Sequence, residues 1–138
     1  MIKLTDQMRK FIGSALADQL PLIASSVDDQ GQPTISFYGS AQVHSSDQLA
    51  IWVRNPEAGL LNRIPSNPRM AFLYRNPIEK LSWQFYGQAR VLEAGEESQH
   101  VYEHSPEPER NRDPEKLGCA VVIDIERVTA RGTTLMKT

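Results

Sequence analysis

The feature that most restricts the fold of this chain is the segment SWQFYGQARVLE, residues 82–93, in which apolar and polar side chains alternate with a period of two. Trp83, Phe85, Ala89 and Val91 fall on one face, and Gln84, Tyr86, Gln88 and Arg90 on the other. Only an extended strand places every second side chain on one side, and a strand with one apolar face needs a sheet around it. Strands are also expected at LIASSV, TISFYGSAQV, LAIWVR, RMAFLYR and CAVVIDIERV, separated by turn-rich stretches such as DDQGQP, HSSDQ and NPIEK. In TISFYGSAQV, Ile35, Phe37, Ala41 and Val43 should point one way, and Thr34, Ser36, Tyr38, Ser40 and Gln42 the other. Six antiparallel strands at hairpin-like spacing avoid unpaired edges most easily by closing into a small barrel.

Short helices should flank this sheet. In TDQMRKFIGSALADQL, Met8, Phe11, Ile12, Ala15 and Leu16 form one buried stripe, with Thr5 as N-cap. A second helix, PEAGLLNRI, should start at Pro56 behind an Asn55 cap, and a third should run through GEESQHVYEHS. The following PEPERNRDPEK reads as an ordered, exposed loop. At 138 residues the chain fits a single domain, residues 1–138. Its one cysteine, Cys119, excludes a disulfide framework and sits in an apolar run as a buried strand residue. Fifteen basic and seventeen acidic residues give a formal charge of -2, which argues against a nucleic-acid partner. The first residues lack an apolar signal core, and no segment approaches the roughly 20 apolar residues that span a bilayer. The expectation is a cytoplasmic protein with no membrane partner.

Three groups of residues carry possible chemistry. Ser36, Tyr38 and Ser40 form one polar row, and Gln84, Tyr86 and Gln88 another. A solvated outer face is the plain reading of these rows; neither contains Lys or Glu, the usual choices for such a face, so their hydroxyls and amides could instead line a cleft for a polar ring system. Trp52, Arg54 and Asn55 meet where the third strand runs into the second helix. A helix N-terminus offers free amides to a phosphate, and Arg54 would add a charge-assisted fork; a plain cap with a surface arginine explains the same residues. His100 and His104 stand one helical turn apart with no third ligand evident and no HExxH context, so an exposed helical pair is the reading and no metal is expected.

The order of these elements resembles the pyridoxamine 5′-phosphate oxidase-like family of FMN-binding split β-barrels. The resemblance runs from the first helix to the last strand. It rests on the Gly31–Pro33 hairpin, the spacing of Asn62 to Pro68, and an aromatic strand ending in Gly87–Ala89. It implies a mainly β fold, a six-stranded antiparallel split barrel with short flanking helices, assembled as a homodimer. It further implies FMN, or a deazaflavin, in clefts between the barrels, and oxidoreductase chemistry on a small-molecule substrate. Arg54, Asn55, Asn62 and Arg63 would lie near the phosphate and ribityl chain, and Ser36, Tyr38 and Ser40 near the ring; independently, the place of Trp52 and Trp83 at strand ends beside the polar rows puts one or the other against the ligand. Trp83 and Gln84 would reach over from the other subunit. Many cofactor-binding relatives carry an arginine and a lysine before the shared asparagine; here Glu57 and Gly59 stand in those places. That departure favours a second reading, a binding module that has lost FMN and holds haem or another ligand. An OB-like barrel for single-stranded nucleic acid is a third, disfavoured by the acidic balance.

Overall fold

The computed structural model describes residues 1–138. Thr5 begins the fold as expected: its Oγ1 accepts a hydrogen bond from the Met8 amide at 3.1 Å and caps α1, Asp6–Ser14. The helix stops earlier than its apolar pattern suggests. Residues beyond Ser14 form turns, and Gln19 takes a positive φ of 61° before the chain enters the sheet.

The strands are β1, Leu22–Val27; β2, Pro33–Tyr38; β3, Gln42–Ser45; β4, Gln48–Val53; β5, Arg69–Asn76; β6, Leu81–Val91; β7, Cys119–Ala130; and β8, Thr133–Lys137. Helix α2, Gly59–Ser66, joins β4 to β5, while α3, Glu96–Glu103, and α4, Glu107–Arg110, lie between β6 and β7. Every pairing is antiparallel, in the order β2-β1-β5-β6-β7-β4-β3, with β8 added along the second half of β7. The two end strands, β2 and β3, are not laddered together; the chain itself crosses between them through Gly39, Ser40 and Ala41.

Eight strands stand where six were expected, for two reasons. The segment TISFYGSAQV breaks at Gly39–Ala41 into β2 and β3, and Arg131 and Gly132, both at positive φ, turn the chain into β8. The break also reverses the assignment of faces. Tyr38 packs on the core and Ala41 is buried, three positions apart, which an unbroken strand cannot do. Ile35 and Phe37 therefore point outward and are 72% and 67% exposed. Ser36 and Tyr38 pair with Ala24 and Leu22, both buried, on the barrel side.

The barrel interior is filled by the inward residues of β5, β6 and β7, including Phe72, Tyr74, Trp83, Phe85, Ile123 and Val128. The strong alternation of β6 is borne out: Trp83, Phe85 and Ala89 are buried and Gln84 and Arg90 exposed. Val91, at the strand end, is exposed instead. A smaller cluster, Ala50, Trp52, Val101, Tyr102, Ala120 and Val122, glues α3 to the outer side of β4 and β7. Asn55 does not cap α2 directly. Its Oδ1 accepts from the Glu57 amide at 2.9 Å in a tight turn, and the helix starts at Gly59 behind Ala58, with no side-chain cap. No helix is long and apolar enough to cross a membrane.

Candidate ligand site

The reversal of faces in β2 builds a cavity. Ser36 and Tyr38 turn toward the barrel side, Ser40 sits in the β2–β3 crossing, and Trp52, Arg54 and Asn55 lie at the end of β4 opposite. These six residues line one concave space of about 300 Å³. Phe37, Val53, Ala58 and Glu109 complete it. Its size sits at the lower limit for small-molecule sites, which run from roughly 300 to 1,000 Å³.

Each side chain has a defined job. The Ser40 hydroxyl is consumed locally: it donates to the Trp52 carbonyl at 3.1 Å and accepts from the Trp52 amide at 2.9 Å. It thus ties the crossing to β4 rather than facing a ligand. Burial pushes the Tyr38 phenol above its ordinary value, and the positive Arg63 offsets only part of that rise. Tyr38 is therefore a neutral hydroxyl at physiological pH, able both to donate and to accept. Arg54 is exposed at the cavity.

Arg63, on α2, does not line the cavity. Its Nε donates to Ser26 Oγ at 2.8 Å, and a Cβ built on Gly59 would come within 2.7 Å of its Nη1. The guanidinium occupies the room that the missing Gly59 side chain leaves, at the uncapped head of α2. Asn62 is exposed on the same helix and does not line the cavity. Trp83 does not reach it either: it stacks on Tyr74 with ring centres 5.4 Å apart and meets Phe85 edge-on, inside the core. Gln84 lies exposed on the outer face of β6 and accepts the Tyr86 hydroxyl at 2.7 Å.

Glu109 is the lining residue that the sequence pattern did not single out. It belongs to the expected loop 106–116, part of which folds as α4, and its carboxylate lies against the Gly39 backbone, where a Cβ would sit 3.1 Å from Oε1. The position of α4 depends on Asp113, which is buried. Burial alone raises its carboxyl. Hydrogen bonds from Trp52 Nε1 and from the Gly118 and Leu117 amides, each at 2.9 Å, with the nearby Arg54 charge, outweigh burial and hold it below the ordinary value.

The native state therefore binds this proton less readily than the unfolded chain. Asp113 contributes its full stability above the ordinary aspartate range, and that contribution is lost as the pH falls through the range and below it. Asp113→Asn should cost about 1–3 kcal/mol at neutral pH, since one acceptor serves three donors. Urea titrations should show the gap between native and variant narrowing toward pH 3. A constant gap would contradict the assignment.

No protein-family model and no curated protein matches the chain. Solved structures do. An FMN-binding protein from Syntrophomonas wolfei superimposes with a TM-score of 0.71 at 12% identity, covering 91% of this chain and 87% of that one. A putative pyridoxamine 5′-phosphate oxidase from Lactobacillus delbrueckii gives 0.69 at 18% identity over 94% and 96% of the two chains. A heme binding protein from Mycobacterium smegmatis gives 0.64 at 14% identity over 91% of this chain and 55% of that one.

Proposed function

We propose that this chain, whose fold is the split barrel of the pyridoxamine 5′-phosphate oxidase-like and FMN-binding structures, is a homodimeric FMN-dependent oxidoreductase acting on a small organic substrate. One observation carries the reading. A single cavity gathers Ser36, Tyr38, Trp52, Arg54 and Asn55, five of the residues expected to touch the cofactor, from two strands and a turn.

The residues present suit such a ligand. The head of α2 has no side-chain cap, so the Gly59 and Leu60 amides would be open to an anion; Arg54 lines the cavity, and Arg63 stands beside Gly59 at the helix head. Ser36 and Tyr38 offer hydroxyls along a flat ring, while the Trp52 indole packs on Tyr102 and donates to Asp113 behind β4. Bound flavin would supply hydride transfer; the chain would orient the ring and exclude water. Tyr38, protonated at physiological pH, can hold a hydrogen bond to a ring edge in either direction.

The homodimer is supported by the outward face of β2. Ile35 and Phe37 lie beside Ile23 on β1, which in turn pairs with Leu73 on β5, so a contiguous apolar surface faces solvent in one subunit. Because Phe37 also lines the cavity, a second subunit seated there would close its open side. Phe37→Glu should convert a dimer of twice 15.5 kDa into a monomer and weaken FMN binding with it. Light scattering reads the first effect and flavin fluorescence the second; a native monomer would refute the dimer.

A haem-binding reading stands beside this one, favoured by the carboxylate of Glu57 at a phosphate-binding position and by the likeness to the mycobacterial protein. The visible spectrum of the purified chain separates them. Two broad flavin bands support the first reading and a sharp Soret band the second. No chromophore, together with no FMN uptake on titration, refutes the flavin proposal.

A further inference from the structure

Away from the cavity, the fold brings together residues that lie far apart in the chain. His44 of β3 packs against α3, where His100 and His104 sit one turn apart. The spacing of His100 and His104 offers only two ligands; His44 is a third that tertiary structure alone supplies. We infer that His44, His100 and His104 form a binding site for a divalent transition-metal ion of the zinc class, with Glu97 as the carboxylate behind His44.

The His44 side chain is 9% exposed, and its Nδ1 is buried with no hydrogen-bond partner. Its Nε2 stands 2.8 Å from Glu97 Oε2. An ionised carboxylate only accepts, so in the neutral ring the proton is on Nε2 and Nδ1 presents a bare lone pair. A buried acceptor left without a donor is costly, of order 1–3 kcal/mol, unless something occupies it. A carboxylate holding one imidazole nitrogen while the other faces a metal is the usual way proteins orient such a ligand.

His104 is arranged the same way. Its Nδ1 lies 2.9 Å from the His100 carbonyl oxygen, which again only accepts, so Nε2 carries the free lone pair. The His44 and His100 rings stand edge to face with centres 5.7 Å apart. Two imidazoles on one tetrahedral zinc, with Zn–N bonds of about 2.0–2.1 Å, place their ring centres about 5 Å apart. As the side chains stand, no three of the groups surround a common point. His100 and His104 are stacked, with ring centres 3.8 Å apart. Both are exposed, so both side chains can rotate; closing the shell needs that rotation and an opening at the buried His44 Nδ1. Imidazole donors select zinc, copper or nickel over magnesium or calcium, which prefer oxygen.

The test uses the untagged full chain, stripped with a chelator, and zinc chloride competed against a chromophoric chelator. One zinc ion per chain is expected, with affinity at least tenfold weaker in His100→Ala and in His104→Ala. Glu97→Ala should weaken binding about tenfold or more by freeing the His44 ring. Magnesium should not compete. Long-range 1H–15N spectra of the native chain test His44 without mutating it: one equivalent of zinc should shift its Nδ1 signal along with both other rings. No stoichiometric uptake overturns the proposal. So does a response confined to His100 and His104, which would mean an ordinary exposed helical pair.

Discussion

Gly118→Ala should lower stability by about 3 kcal/mol, at the upper end of what overpacking ordinarily costs. Gly118 precedes β7 where that strand meets the end of β4. A Cβ built there overlaps the Val53 carbonyl oxygen and comes within 2.8 Å of the Arg54 Cα and 2.9 Å of Trp52 Nε1. Two of these three atoms are backbone, so rotation of a side chain cannot relieve the overlap; β4 and β7 must separate. The strain also falls on the cavity, because Trp52 and Arg54 line it and the Gly118 amide holds Asp113. Chemical denaturation should show the loss, and ligand binding should weaken in the same variant. Gly13→Ala is the control of opposite sign. It lies in α1 with nothing within 4 Å of a built Cβ, so alanine should stabilise by about 0.5–1 kcal/mol through helix propensity. Equal effects at the two positions would show that close approach is not what Gly118 is for.

Arg63→Ala should weaken FMN binding by about ten- to a hundredfold, the equivalent of one charge-assisted contact worth roughly 1.5–3 kcal/mol. Glu57 and Gly59 stand just ahead of Asn62 and Arg63. The glycine leaves room at the head of α2, and the Arg63 guanidinium fills it, held by Ser26. Arg63 would then do the work of the missing lysine. Gly59→Lys should consequently add little, since its side chain must first displace Arg63. Glu57→Arg should tighten binding, because an exposed carboxylate beside a phosphate is repulsive, though solvent screening limits the gain to about tenfold. Riboflavin, which has no phosphate, should bind all of these variants alike. If riboflavin affinity falls as far as FMN affinity in Arg63→Ala, the arginine supports the ring pocket and the phosphate lies elsewhere. Isothermal titration of both ligands decides it.

Six strand segments could be read from the sequence because burial on one face of a sheet imposes a period that nothing else imitates; β8, exposed except at Met136, carries no such period. The alternation through Trp83, Phe85 and Ala89 needs no tertiary knowledge, nor does the Thr5 cap, whose bond to Met8 is local. The end of β4 before Asn55 was legible as well, but the start of α2 was not, because the chain first turns through Asn55–Ala58 and the helix begins at Gly59. Tertiary structure decided what depended on one residue more or less. The break at Gly39–Ala41 shifts the alternation of β2 against β3, turns Phe37 outward and brings Ser36 and Tyr38 onto the cavity. A period of two does not report a change of phase inside a turn. Pattern likewise could not separate Trp83, buried on Tyr74, from Trp52, buried but lining the cavity, since both occupy apolar positions of good strands. Glu109 and His44 gained their surroundings from residues dozens of positions away: Gly39 for one, Glu97 and His100 for the other. Local propensity carries no information about such partners, because the docking of α3 and α4 on the sheet is settled by Tyr102, Val101 and the buried Asp113 only once β4 and β7 are paired.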